Sequence, residues 1–441
     1  MMMPSAHSPR VCRNVLCVLV ATAVLGGCSD FLKVTNPGAI NADNLNNPQN
    51  IALMVNGVIG EFQPMLSNLA LYGGVFSDEL RNDHVFFENR DFDKRTVAME
   101  NGTMALLVYN PIHRSRFLAD SVAGRLKVML GDSAVRDVRL ARVDAYGGYN
   151  YIMLGEYLCS SPVNVSALYT SGQITNFALP RLREAIVVAT AAKAQAQASA
   201  AVRAAADSLV NLANVGLARA YLQIGRNAEA IAAATQVPVG FEFRVLHSDN
   251  SAREYNPFEN AAALGVASTW ISLEPKFQGL GDVRVPSRRL PAMDTRGDSV
   301  PVPSAPESFS TYAGTLAGAL FTKSSTMRFA SYLEAQYIIA EAQGPTQATL
   351  DFVNSRRAVG GQAPSTAAGD ALMADLRDQR RRDFFLDGHR LGDMRRYLAL
   401  HNVNEFSSGP YPGTTSGETY GTQTCFPITI TEFNNNPNIP K

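Results

Sequence analysis

The segment that decides the fold is "QRRRDFFLDGHRLGDMRRY", which runs from Gln379 to Tyr397. Six arginines and three aspartates surround the apolar residues FFL. On a helix, Arg380 lies one turn from Leu376 and one turn from Phe384, so a charge interrupts an apolar face. A guanidinium buried on such a face needs a carboxylate partner, because an isolated buried charge costs too much free energy.

An upstream segment, "SYLEAQYIIAEA" at 331–342, shows the mirror pattern. Glu334 and Glu341 share a helix face with Ile338, so each carboxylate lies on an apolar face. The two patterns predict a buried ion-pair network, in which we expect Arg380 to pair with Glu341. The predicted members of the network are Glu334, Glu341, Arg380, Arg381, Asp383, Asp387, Arg390, Asp393 and Arg395.

The composition argues against a nucleic-acid role for these arginines. The 441 residues contain 39 Lys and Arg and 39 Asp and Glu, so the protein has no net positive field. With 46% hydrophobic and 18% charged residues, the chain is typical of a globular protein with a large core. No nucleic-acid partner is therefore expected.

The N-terminus has the pattern of a targeting segment. Arg10 and Arg13 precede an apolar stretch at 15–25, which is too short to span a bilayer and ends in "LGGC" at Cys28. This arrangement resembles a bacterial lipobox. The resemblance implies a signal peptide at 1–27, palmitate or a similar acyl group on Cys28, and, with Ser29 next, the outer membrane. Ordinary secretion with an unmodified cysteine is the alternative.

After cleavage the remaining cysteines are Cys28, Cys159 and Cys425. If Cys28 carries lipid, the other two form an even pair in an oxidising compartment. We therefore predict a disulfide between Cys159 and Cys425, with two separate buried thiols as the alternative.

Helical periodicity dominates a single predicted domain at 48–441, which follows a tether at 28–47 rich in Asn and Pro. The segment 73–95 has no clean period and is predicted to be an ordered loop. Pro180 is predicted to open a helix that continues through the Ala-rich run to 206, and 425–441 is predicted to be extended. Further helices are predicted at 48–69, 110–130, 134–158, 328–343, 345–358, 369–386 and 389–400.

Two regions differ from simple helices. "LARAYLQIGRNAEAIAAATQV" at 217–237 reads as a helix, a turn at Gly225–Arg226 and a second helix, and it resembles a tetratricopeptide helix pair. From about 238 to 326 the helical period disappears and short strand-like pieces occur, so this insert is predicted to be irregular. The fold class is therefore mostly α, with a few short strands.

The C-terminal third resembles the SusD/RagB family of nutrient-binding lipoproteins. "YLEAQYIIAEA", "VNSRR" at 353–357 and "FPITITEFNNNPN" at 426–438 are similar to its motifs, with Ser331 where the family usually has arginine. Asp383 and Asp387 replace glutamates of the family signature. The positions that match it are Arg380, Arg381, Gly388, Arg390, Asp393, Arg395 and Arg396.

This resemblance implies a tetratricopeptide-like helical scaffold with ligand-binding loops on its other side. It also implies a lipid-anchored protein of the outer membrane, facing the cell surface, which delivers an oligosaccharide or a peptide to a TonB-dependent (SusC-like) transporter. Members of the family are binding proteins and not enzymes, so no catalytic residue and no cofactor is expected.

The predicted ligand site combines aromatic, amide and charged side chains, although each aromatic alone is more typical of a core. Its members are Asn82, Asp83, Phe86, Phe87, Arg90, Phe92 and Trp270, the only tryptophan.

Catalysis and metal binding have little support in the sequence. The chain contains no H-E-x-x-H, no G-x-S-x-G and no P-loop, and His389 with Asp393 is too small a set for a metal site. Two alternatives remain: a helical-repeat scaffold lipoprotein of the envelope without a small ligand, and a diverged envelope hydrolase.

Overall fold

The computed structural model describes residues 45–83, 86–262, 270–290, 300–309, 320–412 and 417–441. The predicted signal peptide, Cys28 and most of the predicted tether lie outside these residues. The chain divides into a unit at 1–50 and a unit at 51–441. In the first unit, Pro48–Asn50 forms a 3-10 turn. In the second, helices dominate and the strands are short, as the sequence predicts.

The first helices of the second unit supply much of its core. Helix α1 spans Ile51–Ser77 and α2 spans Phe87–Lys94. The predicted loop at 73–95 is therefore wrong at both ends. Gly73 lies inside α1 and does not break it. A Cβ at this position would lie 2.6 Å from the ring of Tyr157, so the glycine allows the helix to pack closely against this ring. Three further helices follow: α3 at Gly102–Met104, α4 at Asn110–Leu130 and α5 at Val138–Tyr157.

The alanine-rich region forms two long helices rather than one. Helix α6 spans Ser171–Ala194 and α7 spans Ala200–Gln223. The prediction that Pro180 opens a helix is wrong, since the helix begins nine residues earlier at Ser171. Thr170 is its N-cap, and the side chains of Thr170 and Gln173 form a capping box. Helix α8 at Asn227–Ala234 completes the predicted helix pair, and Gly225 in its turn adopts φ +75°.

Within the described residues, the insert at 238–326 contributes four of the eight short strands. Strand β4 (Glu242–Val245) pairs antiparallel with β8 (Met327–Ser331), and β5 (Ile271–Leu273) pairs with β1 (Leu80–Asn82). The other pairs are β2 (Ser160–Ser161) with β3 (Tyr169–Thr170), and β6 (Ser287–Leu290) with β7 (Val300–Pro303). A short helix, α9, spans Pro257–Ala261.

The C-terminal third returns to helix. Its helices are α10 at Tyr332–Gln343, α11 at Gln347–Val359, α12 at Gly369–Asp383, α13 at Arg390–His401 and α14 at Ile430–Asn435. Residues 328–331, predicted to be helical, belong to strand β8 instead. The tail is not wholly extended, because Thr429 caps α14 by accepting a hydrogen bond from the backbone of Glu432.

Arg380 is buried and paired, but its partner is not Glu341. Its Nε donates to Asp393 over 2.7 Å, and both side chains are at most 5% exposed. Glu341 instead accepts two hydrogen bonds from Arg396, at 2.7 and 2.9 Å. Asp393 is one turn from Arg396 on α13 and binds it as well, at 2.8 Å. Burial alone would raise the pKa of Asp393, but Arg380 and Arg396 outweigh burial and hold this pKa well below its usual range.

Three other predicted members of the network also lie in ion pairs. Arg390 donates two hydrogen bonds to the carboxylate of Asp78, at 2.8 and 2.6 Å. Asp383 accepts from Arg356 at 2.8 and 2.7 Å, and Asp387 lies 2.7 Å from the Nδ1 of His389.

Two predicted members have different roles. Arg381 pairs with the local, half-exposed Asp378, and its guanidinium lies over the ring of Phe277. The prediction of an ion pair for Arg395 is wrong, because its Nη1 donates to the backbone carbonyls of Gly155, Glu156 and Leu158 at 2.6–3.1 Å. Free carbonyls at the C-terminus of a helix attract a cation there.

Glu334 lies between Arg219 and His389, neither of which is a predicted member of the network. Arg219 of α7 donates two hydrogen bonds to the carboxylate of Glu156, at 2.8 and 2.6 Å. Its Nη1 lies 3.7 Å from the carboxylate of Glu334. The Nε2 of His389 lies 3.2 Å from the same carboxylate. Ser331, where the resemblance expects arginine, caps α10 by accepting from the backbone of Glu334 at 3.2 Å.

A disulfide joins Cys159 and Cys425, whose Cα atoms are 5.0 Å apart. Backbone hydrogen bonds flank it, from Cys159 to the carbonyl of Phe426 at 3.0 Å and from Phe426 to that of Tyr157 at 2.9 Å. These bonds connect the C-terminal tail to the end of α5.

Candidate functional site

Two aromatic residues of the predicted ligand site lie in the core. Phe92 is fully buried and Trp270 is 8% exposed. Both contact Tyr72 of α1, with ring centroids 5.0 and 5.7 Å apart. Neither ring offers an open face to a ligand, because strand β5, which follows Trp270, pairs with β1 and brings the tryptophan into the interior.

The other two aromatics of the predicted site are exposed. Phe86 and Phe87 at the N-terminus of α2 are 56% and 73% exposed. One turn along, Arg90 pairs with Glu418 and lies 5.6 Å from the ring centroid of Tyr411. This end of α2 therefore presents two phenyl rings next to a paired guanidinium.

The backbone of the polar residues Asn82 and Asp83 is held by hydrogen bonds of the fold. The backbone N–H of Asn82 donates to Asp93 at 2.8 Å, and that of Asp83 donates to the carbonyl of Trp270 at 3.0 Å. Asp93 also accepts from the hydroxyl of Tyr411 at 2.7 Å. Burial raises the pKa of Asp93 to about 7. Because Asp93 accepts both hydrogen bonds from groups of the protein itself, its buried carboxylate holds the segment around Asn82 in place.

A cleft of about 580 Å³ lies next to the segment 82–92. It is formed by the middle of α1, the start of α4, the segment around α9 and the residue Lys323. The side chains that line it combine amides, cations, one tyrosine and leucines. Its principal lining residues are Asn68, Leu106, Leu107, Arg114, Arg253, Tyr255, Glu259, Asn260 and Lys323.

The wall of the cleft that carries Leu106 is a π-helical segment, Ala105–Tyr109, between α3 and α4. Pro111 has no N–H to donate back to Leu107, so the regular α-helical ladder is interrupted at this point. Leu106 lies in this wide turn and is 68% exposed. Segments of π-helix occur frequently at functional sites.

The opposite wall is positioned by Asn256, which is 1% exposed. Its side chain accepts from the N–H of Phe258 at 3.0 Å and donates to the carbonyl of Ser325 at 2.8 Å. Its backbone N–H donates to the carbonyl of Lys323 at 2.9 Å. These bonds fix the neighbouring Tyr255, and the ammonium of Lys323 lies 4.4 Å from the centroid of its ring.

Two arginines at the cleft share one carboxylate. Glu61 pairs with Arg114 at 2.6 Å and also with Arg253. Both arginine side chains remain 55% exposed. Their guanidinium groups are thus held in position while hydrogen-bond donors stay accessible to a ligand.

The segment 82–92, which contains most of the predicted ligand site, lies next to the cleft. Tyr72 lies one helical turn after Asn68 on α1 and contacts Trp270. The backbone N–H of Trp270 donates to the carbonyl of Ala261 at 3.1 Å. Glu88 of α2 accepts from the backbone and the hydroxyl of Thr103 at 2.9 and 2.6 Å, just before the π-helical wall. The exposed end of α2 therefore adjoins the cleft.

The cleft residues Asn68, Tyr255, Asn260 and Lys323 are not among the predicted ligand residues. A signal was present in "EYNPFEN" at 254–260, where an asparagine precedes a proline as at a capped helix start next to an aromatic residue. Asn68 carried no signal, because it lies within a long apolar helix.

The chemistry available at the cleft is recognition by stacking, hydrogen bonds and charge. Within the described residues, no group of three or more His, Cys, Asp or Glu side chains could hold a metal ion. None of the helices described is both long enough and apolar enough to cross a membrane.

No protein-family model matches this sequence, and no curated protein sequence matches it. Solved structures do resemble it. A SusD superfamily protein from Bacteroides fragilis gives a TM-score of 0.62 at 14% sequence identity, over 89% of this chain and 99% of that one. A SusD superfamily protein from Bacteroides vulgatus gives 0.63 at 13% identity, over 89% and 98% of the two chains.

A third structure is described as a laminarin-binding SusD-like protein. It gives a TM-score of 0.59 at 15% identity, over 89% of this chain and 98% of that one. At this level of identity, the similarity establishes the fold. The chain therefore has the helical, tetratricopeptide-like fold of the SusD superfamily.

Proposed function

We propose that this chain, which has the fold of the SusD superfamily, is a nutrient-binding protein and not an enzyme. Its ligand is an oligosaccharide that occupies the cleft between the π-helical wall and Tyr255. The observation that carries the proposal is the cleft itself, in which a positioned tyrosine lies among amides and half-exposed cations. Such a set of side chains stacks on a sugar ring and hydrogen-bonds its hydroxyl groups.

The fold supports the choice of ligand class, since a protein of the same fold is described as binding laminarin. A peptide is the second ligand class, because the leucines and arginines of the cleft also suit an extended chain with apolar and acidic side chains.

A screen of the mature chain against immobilised glycans tests the ligand class, with laminarin and other β- and α-linked glucans alongside mixed peptides. We expect saturable binding to at least one glycan and competition by the same glycan in solution. Binding to peptides alone would replace the oligosaccharide by a peptide. Binding to neither would favour the scaffold alternative, a helical-repeat lipoprotein without a small ligand.

The proposal includes a lipid anchor at Cys28 and a position at the cell surface on the outer membrane. It rests on "LGGC" after a short apolar stretch. Stable anchoring by acyl groups requires more than one chain, as expected for a multiply acylated cysteine. Metabolic labelling with a palmitate analogue should label the wild-type protein and not Cys28→Ala. Equal labelling of the variant would contradict the anchor.

The proposal also includes a TonB-dependent (SusC-like) transporter as the partner that receives the ligand. Affinity purification of the tagged protein from detergent-solubilised envelopes should recover a β-barrel transporter at a fixed ratio. Recovery of other envelope proteins in its place would again favour the scaffold alternative.

A further inference from the structure

The two arginines of the cleft, Arg114 and Arg253, keep most of their hydrogen-bond donors open. Arg114 uses its Nε for one oxygen of Glu61 at 2.6 Å, and Arg253 uses its Nη2 for the other oxygen. Neither guanidinium has a hydrogen bond or an ion pair with a further residue in the part of the chain that the structure describes. The Nη atoms of Arg114, and the Nε and Nη1 of Arg253, are therefore available to a ligand.

The carboxylate that holds these arginines is set back from the cleft. The side chain of Glu61 is 14% exposed, against 55% for each arginine, and Glu61 is not among the described lining residues. Because one carboxylate faces two guanidinium groups, the arginine pair keeps one positive charge. A ligand in the cleft thus meets the guanidinium groups and not the glutamate.

Lys323 adds a third cation on the opposite wall. It lines the cleft and is exposed, and its ammonium lies 4.4 Å from the centroid of the Tyr255 ring. Among the described residues, no carboxylate pairs with this ammonium. Its donors are therefore open as well.

The carboxylates around the cleft differ in how far they are engaged by the protein. Glu254 accepts hydrogen bonds from the hydroxyls of Ser248 and Ser251. Glu259 lines the cleft, and its side chain has no hydrogen bond or ion pair with the rest of the described chain. With Glu61, three carboxylates match the three cations, so net charge does not select the ligand. The open groups select it, and these are two guanidinium groups and an ammonium against one carboxylate.

This set of open groups fits a ligand that carries both carboxylate and hydroxyl groups. A guanidinium donates two parallel hydrogen bonds to a carboxylate, and such charge-assisted bonds are about twice as strong as neutral ones. Sugar hydroxyls can donate to Glu259, and the amides of Asn68 and Asn260 can act as donors or acceptors. A sugar ring that bears a carboxylate is a uronic acid.

We propose that the glycan bound in the cleft is acidic and contains uronic acid residues, whose carboxylates bind Arg114 and Arg253. This inference rests on the proposed function, since it names the class of glycan that the same cleft takes. Lys323 stabilises the negative charge from the opposite wall, and Glu259 accepts hydrogen bonds from the sugar hydroxyls.

Matched pairs of oligosaccharides test the proposal by calorimetry on the mature chain. Short oligomers of galacturonic, glucuronic and mannuronic acid are each compared with the carboxyl-reduced oligomer, which keeps the linkages and has CH₂OH in place of the carboxylate. Tetraglutamate, an acidic peptide, is titrated alongside. We expect at least one uronate oligomer to bind saturably and about tenfold more tightly than its reduced form. The preference should shrink as the salt concentration rises, because the arginines are exposed.

Arg253→Gln tests the role of the arginine pair. It leaves Glu61 paired with Arg114, so we expect the unfolding midpoint in urea to be retained. Arg139→Gln is the matched control, because Arg139 is 41% exposed and pairs with the 15% exposed Asp137 outside the cleft. We expect Arg253→Gln to weaken the binding of the uronate oligomer about tenfold, and that of the reduced oligomer less, whereas Arg139→Gln binds both as the wild type does.

The outcomes separate this inference from the proposed function. Uronate oligomers that bind no more tightly than their reduced forms, or equal affinities of Arg253→Gln and Arg139→Gln, would overturn the inference. If neutral glycans still bind and lose affinity in Tyr255→Ala, the proposed function stands without an acidic ligand. Tighter binding of tetraglutamate than of every uronate oligomer would assign the arginines to an acidic peptide and overturn the inference. Absence of binding to any glycan would contradict the proposed function itself.

Discussion

The Arg-rich stretch at 379–397 and the cleft at Tyr255 contain the same kinds of charged side chain in opposite environments. In the stretch, Arg380 and Asp393 are 2% and 4% exposed and bind each other. At the cleft, Arg114 and Arg253 share Glu61 but keep 55% of each side chain exposed. Burial, and not residue type, separates the two regions.

Under the proposed function, this difference suits one region to stability and the other to binding. Removing a charge from a buried pair leaves its partner without water, so the stretch is expected to be intolerant of substitution. An exposed pair contributes little to stability, so the cleft can be altered without unfolding the chain.

The largest expected effect is that of Asp393→Asn, which leaves Arg380 and Arg396 buried with one charged partner fewer. We expect a loss of about 3–5 kcal/mol in the free energy of unfolding, measured in urea. Asp207→Asn is the matched control, because Asp207 is 53% exposed and pairs with the half-exposed Lys193. The control should lose less than about 1 kcal/mol. Equal losses in the two variants would remove the distinction between the regions.

The disulfide is expected to have the next largest effect. Cys159→Ala/Cys425→Ala opens a loop closed across a separation of 266 residues. The free energy of unfolding should fall by about 2–4 kcal/mol, because the unfolded chain regains conformational freedom. Reducing agent should lower the stability of the wild-type protein by a similar amount and leave the double variant unchanged. Two free thiols in non-reducing mass spectrometry would show that the bond does not form.

His389 is expected to have a smaller effect, which is a dependence of the free energy of unfolding on pH. Burial alone would lower the pKa of His389, but the Asp387 and Glu334 carboxylates outweigh burial and raise the pKa to about 8. The ordinary value is about 6.5. The folded state thus binds the proton more tightly, and this stabilisation is complete below pH 6.5 and lost as the pH rises through 8.

His389→Gln isolates this contribution. The difference in unfolding free energy between wild type and variant should shrink by about 2 kcal/mol between pH 6 and pH 9. His401→Gln is the control, because the side chain of His401 is 44% exposed, and it should leave the pH profile of the wild type unchanged. A constant difference between wild type and His389→Gln at all pH values would mean that His389 does not titrate between its two carboxylates.

Much of the fold could be predicted from the sequence because helical periodicity is local. Helix α4 begins and ends at the predicted residues 110 and 130. The predicted helix boundaries are wrong where tertiary contacts override local signals. Gly73 packs against Tyr157 inside α1, and Pro180 is tolerated within α6. The tail helix α14 is six residues long, which is too short for a periodic signal.

The ion-pair network shows what the sequence can and cannot determine. An arginine on an apolar helix face predicts burial and a partner, and Arg380 has both. It does not identify the partner, because Asp393 and Glu341 both come from other helices and the choice depends on how α10 and α13 cross. Arg219, which binds Glu156 and approaches Glu334, is 113 or more residues from the C-terminal helices in the sequence (332 − 219 = 113).

The candidate site was less predictable than the network. The aromatic and amide content of 82–92 predicts Phe92 as a ligand residue, and Trp270 is predicted as the only tryptophan, but both are core residues. The cleft draws its side chains from four separate segments, and only the fold brings Asn68, Tyr255 and Lys323 together. Composition identifies such residues poorly when each segment contributes one or two of them.

The central claim is that binding takes place at the cleft, and calorimetry of Tyr255→Ala tests it most directly. The titrant is the glycan that the wild-type chain binds best in the screen. Tyr169→Ala is the control, because Tyr169 is a half-buried tyrosine that contacts Phe177 outside the cleft. We expect Tyr255→Ala to weaken the affinity about tenfold, or about 1.4 kcal/mol, with the wild-type unfolding midpoint in urea retained. Equal affinities of Tyr255→Ala, Tyr169→Ala and the wild type would contradict the assignment of the cleft as the binding site.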